Sequence, residues 1–194
     1  YDRSADTISA LFSASPALEA QPLVPVAPVH ITARDGLDLI SYLAQPEGRS
    51  PGDSGPALPF ILTVHGGPWG RVNWGYDASL QWLANRGFAV LSPNFRGSTG
   101  FGKAFLNAGD RQWGAAMQND LRDCVDWAVT QGVADPASLA IMGASYGGYA
   151  VLRALTQEPD RFACGVAMCP PADLVAFLEN VPPYWGPLDE VFAR

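Results

Sequence analysis

Apolar residues in this chain fall into short runs, and the runs switch between a period of two and a period near 3.6. Ile31-Thr32-Ala33 and the stretch from Leu37 to Leu43 flank Asp35-Gly36. That dipeptide favours tight turns, so an antiparallel hairpin is predicted. Phe60-Ile61-Leu62-Thr63-Val64 is a short apolar run of the kind buried on both faces of a parallel sheet. Asp77 to Arg86 reads as a helix closed by Gly87, followed by a strand from Phe88 to Leu91 that ends at Pro93. Met117, Leu121, Cys124, Val125 and Ala128 recur at helical spacing between Trp113 and Gln131, and Gly132 stops the run. Asp135-Pro136 then turns the chain into a strand over Leu139 to Met142. A helix over Tyr149 to Gln157 and a last apolar strand from Cys164 to Cys169 follow. Strands alternating with helices over short connections imply an α/β fold, a mostly parallel sheet with helices on both faces.

Residues 1–28 differ from the rest. They are rich in Ala, Ser and Pro and close on Pro22-Leu23-Val24-Pro25-Val26-Ala27-Pro28, a density of proline that favours extended linker. Residues 29–194 are read as the folded unit. The chain of 194 residues is 48% hydrophobic and 16% charged, which suits a globular domain. Its net charge of −7 argues against nucleic acid as a partner. No apolar run approaches the roughly 18 residues of a membrane span, so no membrane partner is expected. Cys124, Cys164 and Cys169 are odd in number and lack metal-ligand spacing. They are expected to be reduced core thiols, with a cytoplasmic setting favoured. No cofactor motif is present, and neither metal nor cofactor is expected.

Chemistry concentrates in the loops that follow the strands. Gly143-Ala144-Ser145-Tyr146-Gly147 fits G-x-S-x-G between an apolar strand and a helix. There a serine sits on a tight, strained turn, and glycines two residues either side remove the clash. Ser145 is the candidate nucleophile. His65-Gly66-Gly67-Pro68 follows the first buried strand. A glycine-rich loop there can bring backbone N–H groups against the oxyanion of acyl transfer, and Gly67 and Tyr146 are the expected donors. His65 is read as orienting that loop rather than as a base, because both histidines, His30 and His65, precede Ser145. Arg96 either binds a substrate carboxylate or braces the loops by pairing with a carboxylate such as Asp120. Tyr184 and Trp185, stiffened by Pro182-Pro183, either line a specificity pocket or pack a lid or interface. Trp69 and Trp74 are expected to pack.

Ala33-Arg34-Asp35-Gly36, Val64-His65-Gly66-Gly67-Pro68, Asn94-Phe95-Arg96-Gly97-Ser98-Thr99-Gly100 and Gly143-Ala144-Ser145-Tyr146-Gly147-Gly148-Tyr149 stand in that order. With Trp127 before Asp135-Pro136, they resemble the prolyl oligopeptidase family of serine peptidases, especially its acylaminoacyl-peptidase-like branch. The resemblance runs from Val29 to Trp185 and implies an α/β-hydrolase fold, incomplete at the C-terminus. It implies hydrolysis of short peptides through an acyl-enzyme on Ser145, oxyanion donors Gly67 and Tyr146, and a pocket aromatic at Trp185. Residues 1–28 would then carry the tail of an upstream β-propeller. The family's triad Asp and His lie further along than the 49 residues that follow Ser145, none of which is His. The chain is therefore expected to be a fragment, inactive by itself, of a longer enzyme. A carboxylesterase or lipase of the same fold, and a non-catalytic binding module, remain the alternatives.

Overall fold

The computed structural model describes residues 1–13, 15–50, 52–53 and 55–181. Six strands form one sheet: β1 (Val26–Thr32), β2 (Asp38–Ala44), β3 (Leu58–Val64), β4 (Ala89–Pro93), β5 (Ala134–Ala144) and β6 (Cys164–Met168), in the order β1-β2-β4-β3-β5-β6. The predicted hairpin is β1–β2, and β2 pairs antiparallel with β4. Strands β4, β3, β5 and β6 run parallel. Strand β1 begins inside the proline-rich stretch, earlier than the linker reading allowed, because Val26 to Pro28 pair with Ala44 to Tyr42. Pro28 is tolerated because β1 is the sheet edge.

The helices α1 (Ala78–Asn85), α2 (Lys103–Asn107), α3 (Ala116–Thr130), α4 (Tyr146–Gln157) and α5 (Leu174–Glu179) lie in the connections. Asp77 caps α1 by accepting from the Leu80 N–H, and Gly87 supplies the positive φ that ends it. Leu80, Leu83 and Ala84 of α1 cover one sheet face with Ile61 and Val90. Met117, Leu121, Cys124, Val125 and Ala128 of α3 and Ala150, Val151 and Ala154 of α4 cover the other, over Phe60, Leu62, Leu91 and Ile141. Alternate residues of β3 thus serve opposite cores, as the apolar run requires. Helix α4 starts at Tyr146, three residues before the periodicity suggested, because its first turn is glycine-rich.

Two carboxylates of α3 explain the Arg34-Asp35 motif. Asp123 accepts from the Arg34 backbone N–H and guanidinium. Asp120, fully buried, takes the Arg96 guanidinium at 2.9 and 2.7 Å, and Asp35 holds the other edge of Arg96 at 2.8 Å. Arg96 is therefore a brace, one of the two roles weighed for it. Burial pushes the Asp120 carboxyl up against the pull of Arg96, whereas the Arg96 hydrogen bond draws Asp35 below its ordinary value.

The thiols depart from expectation. Cys124 is buried, but Cys164 and Cys169 are exposed. Among the described residues β6 pairs only with β5, and its alternate side chains face outward. Trp74 also departs, being 69% exposed, with its indole N–H donating to the Val26 carbonyl. No helix among the described residues is long and apolar enough to cross a membrane, and no group of three His, Cys, Asp or Glu there could hold a metal ion.

Candidate active site

Paired strands bring the two glycine motifs together. In the β3–β5 register Val64 faces Gly143, so the residues leaving both C-terminal ends emerge side by side. Such strand ends are where open α/β sheets place their ligands. A side chain on Gly66 would lie 3.4 Å from the Ser145 Cβ, which puts the His65–Pro68 loop directly against the serine.

Ser145 is exposed and has φ 56° and ψ −121°, a conformation rare for any residue with a side chain. Its N–H donates to the Met168 carbonyl at 2.9 Å, and its carbonyl accepts from the Tyr149 N–H, so both flanks of the bend are tied down. The glycines are sterically required. A Cβ on Gly143 would lie 2.6 Å from the Gly147 backbone, and one on Gly147 would overlap the Val64 carbonyl oxygen. We therefore expect Gly147→Ala to destabilise the protein by about 3 kcal/mol and to displace Ser145. Urea unfolding together with active-serine labelling checks this; unchanged stability and labelling would refute it.

Tyr146 begins α4 with its ring buried, stacked on Phe95 at 5.5 Å and meeting Trp113 edge-on at 4.7 Å. Burial pushes its phenol up, so the ring is a neutral anchor. As the first residue of the helix its N–H has no acceptor within the helix. Gly67 is exposed with φ 124°, and a Cβ there would lie 2.6 Å from the Trp69 and Gly70 nitrogens. Neither the Gly67 nor the Tyr146 amide donates to another atom among the described residues. Trp69 is half-buried, 6.5 Å from the Trp113 ring. Trp185 lies outside the described residues.

His65 is occupied by its own loop. Its Nδ1 is 2.8 Å from the Gly66 carbonyl, its Nε2 is 2.9 Å from the Ser98 hydroxyl, and its ring stacks on Phe95 at 4.3 Å. Burial pushes the imidazole below its ordinary value of 6.5. A base whose folded-state value is lowered stabilises the fold fully above its unfolded value, and loses that contribution as pH falls. Stability should therefore decline below about pH 6.5, and His65→Asn should flatten that decline. Thermal unfolding across pH tests this; parallel curves for the two proteins would refute it. His30 sits far from this chemistry, exposed and paired with Asp38 at 2.8 Å.

Sequence reasoning treated Asn94 to Gly100 mainly as the setting of Arg96 and missed two contributors. Asn94 clamps the loop after Gly67, accepting from Val72 N–H at 2.8 Å and donating to the Val72 and Ile40 carbonyls. Ser98 is fully buried beneath His65. Their polarity directly after a buried strand was the available signal.

Known proteins resemble this chain in sequence and in fold. Dipeptidyl aminopeptidase BIII of Pseudoxanthomonas mexicana is 54% identical over 197 residues, spanning 100% of this chain and 29% of that protein. A Mycobacterium tuberculosis puromycin-hydrolyzing peptidase superposes with a TM-score of 0.76 at 32% identity, over 87% of this chain and 25% of its own. An acylaminoacyl peptidase in complex with Z-Gly-Gly-Phe-chloromethyl ketone superposes with a TM-score of 0.72 at 26% identity, over 81% of this chain and 25% of its own. The chain thus spans under a third of the relatives it matches, and its fold is that of the α/β-hydrolase peptidases. The prolyl oligopeptidase family model matches residues 74–186, which include the Ser145 elbow, and the chain belongs to that family.

Proposed function

We propose that this chain is part of a serine peptidase that hydrolyses short peptides through an acyl-enzyme on Ser145. The observation that carries the reading is an exposed serine at a positive-φ bend, pressed against a glycine loop with an uncommitted amide. Ser145 Oγ attacks the peptide carbonyl carbon, and the carbonyl oxygen takes the negative charge. The Gly67 and Tyr146 N–H groups receive that oxygen, with the partial positive charge of the α4 N-terminus behind Tyr146. The tetrahedral adduct expels the amine, and water then releases the acyl group. The Ser145 proton needs a base. His65 is engaged by Gly66 and Ser98 and His30 by Asp38, so neither histidine is assigned that role. Trp185, by the family resemblance, is assigned to substrate binding.

The full-length protein is the material for the test. A fluorophosphonate should label Ser145, as located by peptide mapping, and dipeptide and N-acylated amino-acid amides should be cleaved. A label elsewhere would remove Ser145 from the mechanism, and turnover of esters alone would favour a carboxylesterase.

A further inference from the structure

Ser98 and His65 meet across 33 residues of sequence, and their hydrogen bonds end on the peptide unit that carries the Gly67 N–H. The Gly66 carbonyl and the Gly67 N–H belong to one planar group, so fixing the direction of the first fixes the second. The Gly66 carbonyl can only accept, so its 2.8 Å contact requires the proton of His65 to sit on Nδ1. Nε2 of a neutral imidazole is then an acceptor, and the group 2.9 Å from it is the Ser98 hydroxyl. The Phe95 carbonyl, 2.6 Å from Ser98 Oγ, competes for that same hydroxyl proton. Two protons thus serve three contacts when His65 is neutral; an imidazolium would serve all three.

We infer that Ser98 is a positioning residue for the oxyanion hole: by donating to His65 Nε2 it selects the Nδ1–H tautomer that holds the Gly66 carbonyl and aims the Gly67 N–H. The inference rests on the reading of Gly67 as an oxyanion donor. Removing the Ser98 hydroxyl frees His65 to place its proton on Nε2. The bare Nδ1 lone pair would then face the Gly66 carbonyl, and the peptide would swing.

The surroundings leave that choice to Ser98. The imidazole ring faces Phe95, Ser98, Gly66 and Gly70. The ionisable groups on the elements packed there are Arg96 with its partners Asp120 and Asp35, Arg71 stacked over Phe101, and buried Tyr146. None of them is hydrogen-bonded to His65.

The test uses the full-length enzyme and four variants: Ser145→Ala, Ser98→Ala, His65→Asn, and the last two combined. Because the aimed amide acts mainly in the transition state, Ser98→Ala should lower kcat about ten-fold with KM unchanged. Below the His65 titration both ring nitrogens carry protons, so the ratio of variant to parent kcat should climb back toward one as pH falls. Asn at position 65 donates to Gly66 without a tautomer to select, so adding Ser98→Ala to His65→Asn should cost less than about two-fold. A kcat within two-fold of the parent, a pH-independent ratio, or full additivity with His65→Asn would each overturn the inference. If Ser145→Ala still cleaves peptides, the peptidase reading itself fails and the positioning role falls with it. If cleavage depends on Ser145 but not on Ser98, only the positioning role falls.

Discussion

Replacing Ser145 by alanine in the full-length protein is expected to lower kcat on the order of a million-fold, the scale of nucleophile removal in serine proteases. The fold should survive, because the side chain is exposed and makes no hydrogen bond among the described residues. Ser145→Gly should lose activity equally yet gain about 1 kcal/mol, since glycine accepts φ 56° without the strain a Cβ imposes. Opposite movement of activity and stability at one position would identify strain kept for function. Kinetics and urea unfolding on the three proteins decide it. Substantial turnover by either variant, or a loss of stability in Ser145→Gly, would contradict the assignment.

The second large effect is on stability. Arg96→Leu leaves the Asp120 carboxylate fully buried without its partner, and a buried pair broken in this way costs about 3–5 kcal/mol. Asp35 and Asp120 would also face each other across the space Arg96 vacates. Replacing Asp120 by Asn together with Arg96→Leu should recover much of the loss, because the uncompensated charge is gone. Equilibrium unfolding of the single and double variants measures this. A single-variant loss below about 1 kcal/mol would show that the brace is dispensable.

Much of this arrangement was legible in the sequence, for local reasons. A strand–Gly-x-Ser-x-Gly–helix run has one steric solution, so the Ser145 bend could be read without coordinates. Pairing of Arg96 with a carboxylate such as Asp120 was one of the two roles its sequence setting offered, because a charge beside a buried strand needs a counter-ion. The five-residue helix α2 was not read: it buries only Phe105 and has no side-chain cap, so it leaves no periodic trace. The short helix α5 did carry a capping signal in Asp173, which accepts from the Val175 and Ala176 N–H groups. Cys164 and Cys169 were misplaced because an apolar run reports a preference for burial and says nothing about whether a strand has one neighbour or two. Ser98 escaped notice because its partner His65 is distant in sequence, and only the adjacency of β3 and β4 brings them into reach.

The β3–β5 pairing has a further consequence. From Phe60–Leu139 to Val64–Gly143 the two strands run in continuous step, and the irregularity between them falls at the opposite end, near Leu58 and Ala134. One residue of slip would move the serine relative to the glycine loop by about 3.3 Å. A misplacement of about 1 Å already costs reactions of this kind roughly a hundred-fold. The sheet therefore acts as a ruler whose zero mark lies at the chemistry, and its slack is gathered at Asp135 to Ser138. Insertions there should be absorbed, whereas a single residue added between Leu139 and Gly143 would put every reacting atom out of range.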